Sequence, residues 1–224
     1  MRWPFAREGL PFILSTAVPA LVLLDAAVMF GGAVLWVSAG LISFLAVGVL
    51  MFFRDPERQG PKGGDLVVSP ADGKVIDITV ADEPSYVSGE ALRVSIFLSL
   101  FDVHVNRYPV SGDVRHRSYD PGRFEPAWRQ SASHSNERAS TGIDAHGRPI
   151  LVNQIAGLAA KRIVTYAEVG DTVEQGERMG LIRFGSRVDV YMPREATPSV
   201  KVGDRAVGGV TVLAHLAEST GKQA

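Results

Sequence analysis

The chain has 224 residues, 46% of them hydrophobic, with 23 Lys and Arg against 24 Asp and Glu and no cysteine. The absence of cysteine excludes a disulfide scaffold and a thiolate-held metal centre, and the near-zero charge argues against a nucleic-acid binder that works through a basic surface. The averages conceal a break, because residues 1–53 carry only Arg2, Arg7, Glu8 and Asp25 as charges while residues 54–224 have the composition of an ordinary soluble domain.

Residues 10–53 form an apolar run broken by one charge, Asp25. A single membrane span needs about 20 residues, so the run accommodates two helices, expected at 10–27 and 29–53 with a break near 25–32. It extends far beyond the apolar part of a cleavable signal and reads as a retained anchor. Pro11 and Pro19 weaken the first helix and admit a re-entrant path, while Gly32, Ser38, Ala39, Gly40 and Gly48 would let the helices approach closely. Arg2 and Arg7 precede the run and Arg54, Arg58 and Lys62 follow it. The positive-inside rule then places both ends, and the domain, in the cytoplasm. A single tilted span would place the domain on the other side.

After Arg54 the pattern changes to short runs of period two. They occupy 65–69, 73–80, 93–100, 150–155, 161–169, 179–184 and 187–192, punctuated by Gly, Pro and Asp. Turn signals every 8–15 residues predict a mainly β domain, a barrel or a sandwich. Residues 126–135 are the best place for a loop or short helix. A weak repeat joins Val169-Gly-Asp-Thr-Val-Glu-Gln-Gly176 to Val202-Gly-Asp-Arg-Ala-Val-Gly-Gly209, each leading into an apolar stretch. It resembles the turn-and-strand units of lipoyl- and biotinyl-type barrels, and V-G-D is also a common turn sequence.

In Leu181-Ile-Arg-Phe-Gly-Ser-Arg-Val-Asp-Val-Tyr-Met-Pro193, strand alternation puts Ile182, Phe184, Ser186, Val188, Val190 and Met192 on one face. Arg183, Arg187 and Asp189 fall on the other. Ser186 is the one polar side chain of the apolar face and follows Gly185, whose missing Cβ leaves its carbonyl open to attack. A bulge with a serine bonded to backbone would give the same pattern. Ser69-Pro-Ala-Asp-Gly-Lys-Val75 places Asp72 at a tight turn, and Ser99-Leu-Phe-Asp-Val-His-Val-Asn-Arg-Tyr-Pro109 carries His104 after an apolar strand. The histidines lack metal-ligand spacing, and no G-x-S-x-G elbow is present.

Together with the apolar N-terminus, S-P-A-D-G-K-V, F-D-V-H-V-N-R and F-G-S-R-V-D-V-Y-M-P closely resemble the short bacterial and archaeal class of the pyruvoyl-dependent phosphatidylserine decarboxylase family. The resemblance implies that Ser186 attacks the Gly185 carbonyl and that the chain cuts itself. The products would be a β chain, 1–185, and an α chain, 186–224, whose first residue becomes a pyruvoyl group. That group would form a Schiff base with phosphatidylserine and release CO2 and phosphatidylethanolamine, without a metal. Asp72 maps to the family's charge-relay carboxylate and His104 to its histidine. The longer class has H-x-x-H where this chain has His104 and Arg107, so a second histidine cannot be assigned. Asn106, Arg107, Arg138 and Arg187 are candidate substrate contacts, with the stretch 135–138 bordering the site. The implied partners are phosphatidylserine, membrane lipid and the two self-cleaved chains, with no nucleic acid, and a homo-oligomer is compatible. The implied location is the bacterial inner membrane, cytoplasmic side.

Two other readings fit parts of the sequence. A membrane-tethered adaptor or carrier barrel would use the V-G-D repeat, although the one lysine between the two units, Lys201, lies on the edge of a turn. A membrane serine hydrolase would use Ser186, His104 and Asp72 with the serine intact.

Overall fold

The structure, a computed structural model, describes residues 4–122, 136–157, 163–183 and 186–217. The chain forms two compact units, Met1–Glu57 and Arg58–Ala224.

The first unit is a helical pair, α1 (Leu10–Phe30) and α2 (Ala33–Phe52). Gly31 and Gly32, at φ 68° and 96°, make the reversal between them, a backbone path that costs glycine little. Pro19 lies inside α1 without ending it, so the first helix is continuous. The seam is lined by Ala20 and Ala27 of α1 and Ala39 and Ala46 of α2, all buried and spaced by seven. Gly40 and Gly48, expected at the contact, have open space where a Cβ would stand. Most other apolar side chains, Leu21, Phe30, Val34 and Phe44 among them, face outward. Both helices are long and apolar enough to cross a membrane.

The second unit is built of short strands. In chain order they are β1 (Leu66–Val68), β2 (Gly73–Glu83), β3 (Gly89–Leu98), β4 (Val105–Arg107), β5 (Gly112–Asp120), β6 (Arg138–Asp144) and β7 (Pro149–Ala156). There follow β8 (Ile163–Thr165), β9 (Thr172–Val173), β10 (Arg178–Ile182), β11 (Ser186–Pro193), β12 (Thr197–Pro198), β13 (Arg205–Ala206) and β14 (Val212–His215). Eight of them form a curled, half-barrel antiparallel sheet in the order β13-β2-β3-β11-β7-β6-β5-β9. Two three-stranded sheets, β4-β10-β8 and β1-β14-β12, complete the unit. Val75, Ile96, Leu98, Ile150, Val188 and Val190 belong to the core these sheets share.

The V-G-D segments are structurally equivalent. Gly170 and Gly203 both have φ near 100°, and each is followed by a two-residue strand that seals one edge of the large sheet, β9 on β5 and β13 on β2. The bonds match one for one. Val114 N–H donates to Asp171 O and Val75 N–H to Asp204 O, while Gly176 N–H donates to Tyr108 O and Gly209 N–H to Ser69 O. The strands they meet therefore open on a second related pair, Ser69-Pro-Ala-Asp-Gly-Lys-Val75 and Tyr108-Pro-Val-Ser-Gly-Asp-Val114. Asp72 accepts the Gly208 N–H at 2.7 Å where Ser111 accepts the Gln175 N–H at 2.9 Å.

Strand β11 departs from the expected apolar-against-charged alternation. Both of its faces are buried: Val188, Val190 and Met192 enter the core, and Arg187 and Asp189 are 1% and 0% exposed. Arg187 donates to Asp189 at 2.6 Å and to Ser95 Oγ at 2.8 Å, so the charges are paired out of water. Arg187 is thereby removed from the candidates for a lipid phosphate. Strands β5 and β6 were not legible as strands, because Gly112-Asp-Val-Arg-His-Arg-Ser-Tyr-Asp120 and Arg138-Ala-Ser-Thr-Gly-Ile-Asp144 are rich in polar and small residues. Residues 126–135 lie outside the described residues.

Removing one partner of a buried ion pair leaves the other uncompensated. Asp189→Ala is expected to lower stability by about 3–5 kcal/mol, read as a fall in thermal midpoint of the full chain in detergent. Asp189→Asn, which keeps an acceptor for Arg187, is expected to fall less.

Candidate active site

Ser186 opens β11, where it pairs with Leu98 of β3 on one side and Ala156 of β7 on the other. It is 0% exposed, and its Oγ has no hydrogen-bond partner among the described residues. A buried hydroxyl left in that state costs about 1–3 kcal/mol, which singles it out from a serine that merely fills a bulge. Gly185 and Phe184 lie outside the described residues.

His104 is brought to the same region by two strand connections. It lies six residues after Leu98, and its carbonyl accepts the Ile182 N–H at 3.3 Å, four residues before Ser186. It is 1% exposed. Asn106, fully buried on β4, accepts a hydrogen bond from Gln154 Nε2 at 2.7 Å, and Gln154 Oε1 accepts one from the Thr165 hydroxyl at 3.1 Å. Gln154 stands opposite Val188, two residues along β7 from the partner of Ser186. The Asn106 Nδ2 donor is buried and makes no hydrogen bond among the described residues. Thr165 also lines a cavity of about 530 Å³ with Arg117, Tyr119, Ile163 and Glu168.

Asp72 approaches from the 69–72 turn. The Arg107 N–H donates to Pro70 O at 2.8 Å, so this turn rests on the strand that carries Asn106. Both carboxylate oxygens of Asp72 are engaged, one by Arg58 at 2.8 Å and one by the Gly208 N–H. Neither bond runs to His104 or Ser186. Arg107 is 5% exposed and donates to Gly176 O at 2.8 Å, with its Cδ packed against Gly209. It thus bridges the ends of the two V-G-D units. Arg138 opens β6 and bonds Asp120 at 2.8 Å. Burial, the largest influence on the phenol of Tyr108, the residue after Arg107, pushes its pKa up to about 12, so it stays neutral at ordinary pH.

The structure therefore gathers Ser186, His104 and Asn106 around the meeting of β4, β7, β10 and β11, with Asp72 on the adjoining turn. Sequence reasoning missed Gln154 and Thr165, which read as ordinary strand residues, and the role of Arg58, which read only as a flanking charge. Arg58 and Asp72 are fourteen residues apart, and nothing in either motif signals their pairing. No cluster of metal-ligating side chains occurs among the described residues.

The profile of the phosphatidylserine decarboxylase family matches residues 45–214. A protein of Symbiobacterium thermophilum named phosphatidylserine decarboxylase proenzyme is 49% identical over 218 residues, 96% of this chain and 98% of its own. Proteins of the same name from Polynucleobacter asymbioticus and Desulfotalea psychrophila are 44% and 42% identical, with 94% and 95% of this chain covered and 94% and 97% of theirs.

Proposed function

Because the chain belongs to the phosphatidylserine decarboxylase family, we propose that it converts phosphatidylserine to phosphatidylethanolamine and CO2 after cutting itself between Gly185 and Ser186. The observation that carries this reading is the buried Ser186 hydroxyl, free of hydrogen-bond partners among the described residues and carried by the residue whose own N-terminal peptide bond would be cut.

In self-cleavage, Ser186 Oγ attacks the Gly185 carbonyl carbon, the peptide C–N bond breaks and an ester replaces the amide. Loss of the Ser186 Cα proton expels the Gly185 carboxylate by β-elimination. The remaining dehydroalanine takes up water, releases ammonia and becomes the pyruvoyl group. His104, a neighbour of this region and the residue type suited to proton transfer near neutral pH, serves as the base for the hydroxyl and later as an acid toward the substrate Cα. Asn106 Nδ2, held by Gln154, is a preorganised donor for the oxyanion of the acyl shift or for the substrate carboxylate. Asp72 acts as a positioning residue, because its oxygens hold Arg58 and the Gly208 N–H and steady the turn under β4. When present, the pyruvoyl group supplies the electron sink that loss of a carboxylate requires.

The sheet accounts for how a cut chain would stay together. Residues 186–217 include β11, β13 and β14, which pair with β3 and β7, with β2 and with β1 of the larger fragment, and β12, which pairs with β14. The matched bonds of the two V-G-D units support a lipoyl- or biotinyl-like element within this domain. Asn106, Arg107 and Arg138 remain the substrate contacts of this reading. Arg107 and Arg138 already hold Gly176 and Asp120, so a lipid phosphate would share them. The helical pair anchors the protein to the bacterial inner membrane, and the basic residues flanking it favour a cytoplasmic domain.

Intact mass under denaturing conditions should show two fragments, the smaller beginning at position 186 and resistant to Edman degradation. Ser186→Ala should leave one uncut, inactive chain, and Ser186→Cys should cut slowly. A fully active uncut chain would restore the hydrolase reading.

His104→Ala should lower decarboxylation by at least about a hundredfold, whatever it does to cleavage. Asp72→Asn and Arg58→Gln should slow cleavage alike if the ion pair positions the turn, and near-normal cleavage in both would remove that role.

Protease added outside sealed right-side-out cells should spare the domain. Digestion there would reverse the topology.

A further inference from the structure

We propose that the loop 99–102, together with the turn at 201–205, is a lipid-contact surface that seats the active site on an anionic bilayer leaflet. Leu100 and Phe101, consecutive at the loop tip, are 55% and 82% exposed, and Val202 on the second turn is 61% exposed. Isolated apolar residues on a surface are ordinary, but a grouped set on rigid turns marks an interaction site.

The loop is rigid because Asp102 holds it. This carboxylate is 3% exposed, and one of its oxygens accepts the Ser99 N–H at 2.8 Å and the Ser99 hydroxyl at 2.7 Å. The other accepts Arg205 Nη2 at 2.5 Å, and that bond ties the loop to the turn carrying Val202. Around the apolar tip stand three exposed cations. Lys201 and Arg205 lie on the turn, and Lys74 pairs with Arg205 across β13–β2 and with Phe97 across β2–β3. Of these, Arg205 is already paired with Asp102, which leaves Lys74 and Lys201 as the cations for headgroups, while the exposed Asp204 accepts the Lys201 N–H at 2.8 Å. An apolar tip flanked by Lys74 and Lys201 matches the interface of an anionic membrane, where side chains enter the acyl region and cations meet headgroups.

The position of the loop selects lipid as the occupant. One end is Leu98, the cross-strand partner of Ser186, and two residues beyond the other end is His104. A substrate with its acyl chains in the bilayer must bring its headgroup to this place, so the tip inserts beside the path the headgroup takes. This inference rests on the phosphatidylserine decarboxylase reading.

The chain has no cysteine, so Phe101→Cys accepts a single environment-sensitive dye. The full-length protein is reconstituted in vesicles of phosphatidylcholine and phosphatidylglycerol. The expected result is blue-shifted emission that is quenched by spin-labelled lipid and protected from iodide. The same dye at Val80→Cys, at an exposed site along β2, should be open to iodide. Quenching by iodide alone at position 101, or a blue shift in detergent that grows with protein concentration as a second copy would cause, overturns the proposal. In parallel, Leu100→Asp with Phe101→Asp should raise KM for vesicular phosphatidylserine about tenfold. Self-cleavage and turnover of a water-soluble short-chain phosphatidylserine should be unchanged. An unchanged KM, or equal loss on both substrates, overturns it. A wild-type chain that decarboxylates neither substrate refutes the decarboxylase reading, and the dye measurement then decides the surface by itself.

Discussion

Strand β11 is hydrogen-bonded along both edges, to β3 and to β7, and buried on both faces. That confinement governs the rest of the domain. It holds Ser186 at a fixed point where the main-chain direction is set by two neighbours, which would spare the proposed attack on the preceding carbonyl a search through conformations. It also makes a cut before Ser186 tolerable, since the freed end begins inside a ladder and not in solvent. The buried Arg187–Asp189 pair lies within the same strand. Its charges are compensated by each other and by Ser95, an arrangement that gives specificity of register more readily than net stability.

The domain is organised as two related halves whose chemistry has diverged. Each half places an x-P-x-x-G-x-V turn against a V-G-D turn, and each closes one edge of the large sheet. In one half the residue before the glycine is Asp72, which gathers Arg58 and a backbone N–H. In the other it is Ser111, which gathers only the N–H. The geometry is shared because glycine at positive φ and the pairing rules of antiparallel strands impose it. The charge is not shared, and it stands on the turn beneath β4. Arg107 spans the ends of both halves, so the site is built at their junction.

The two units of the chain solve different solvation problems. The helical pair buries small alanines at its seam and presents large apolar side chains outward, the reverse of a soluble bundle. The second unit keeps its apolar residues inside, apart from a few exposed at turns and on outer strand faces.

The amino-acid sequence by itself determined the apolar helical pair at the N-terminus, the mainly β character of the rest, and the prominence of Ser186. Each of these follows from local order: an uninterrupted apolar run, a period of two between turn residues, and one hydroxyl in an apolar alternation. The motifs around Asp72, His104 and Ser186 were also legible, since turn chemistry and residue type are written in consecutive positions. Tertiary structure alone decided what those residues touch. Strands β5 and β6 escaped notice because small and polar residues, Ser140, Thr141 and Gly142 among them, are buried there by neighbours distant in the chain. The burial of Arg187, the Arg58–Asp72 pair and the Thr165–Gln154–Asn106 chain depend on which strands lie side by side. Pairing across a sheet is a long-range choice set by the whole core, and a carboxylate or amide carries no local mark of the partner that the fold will bring to it.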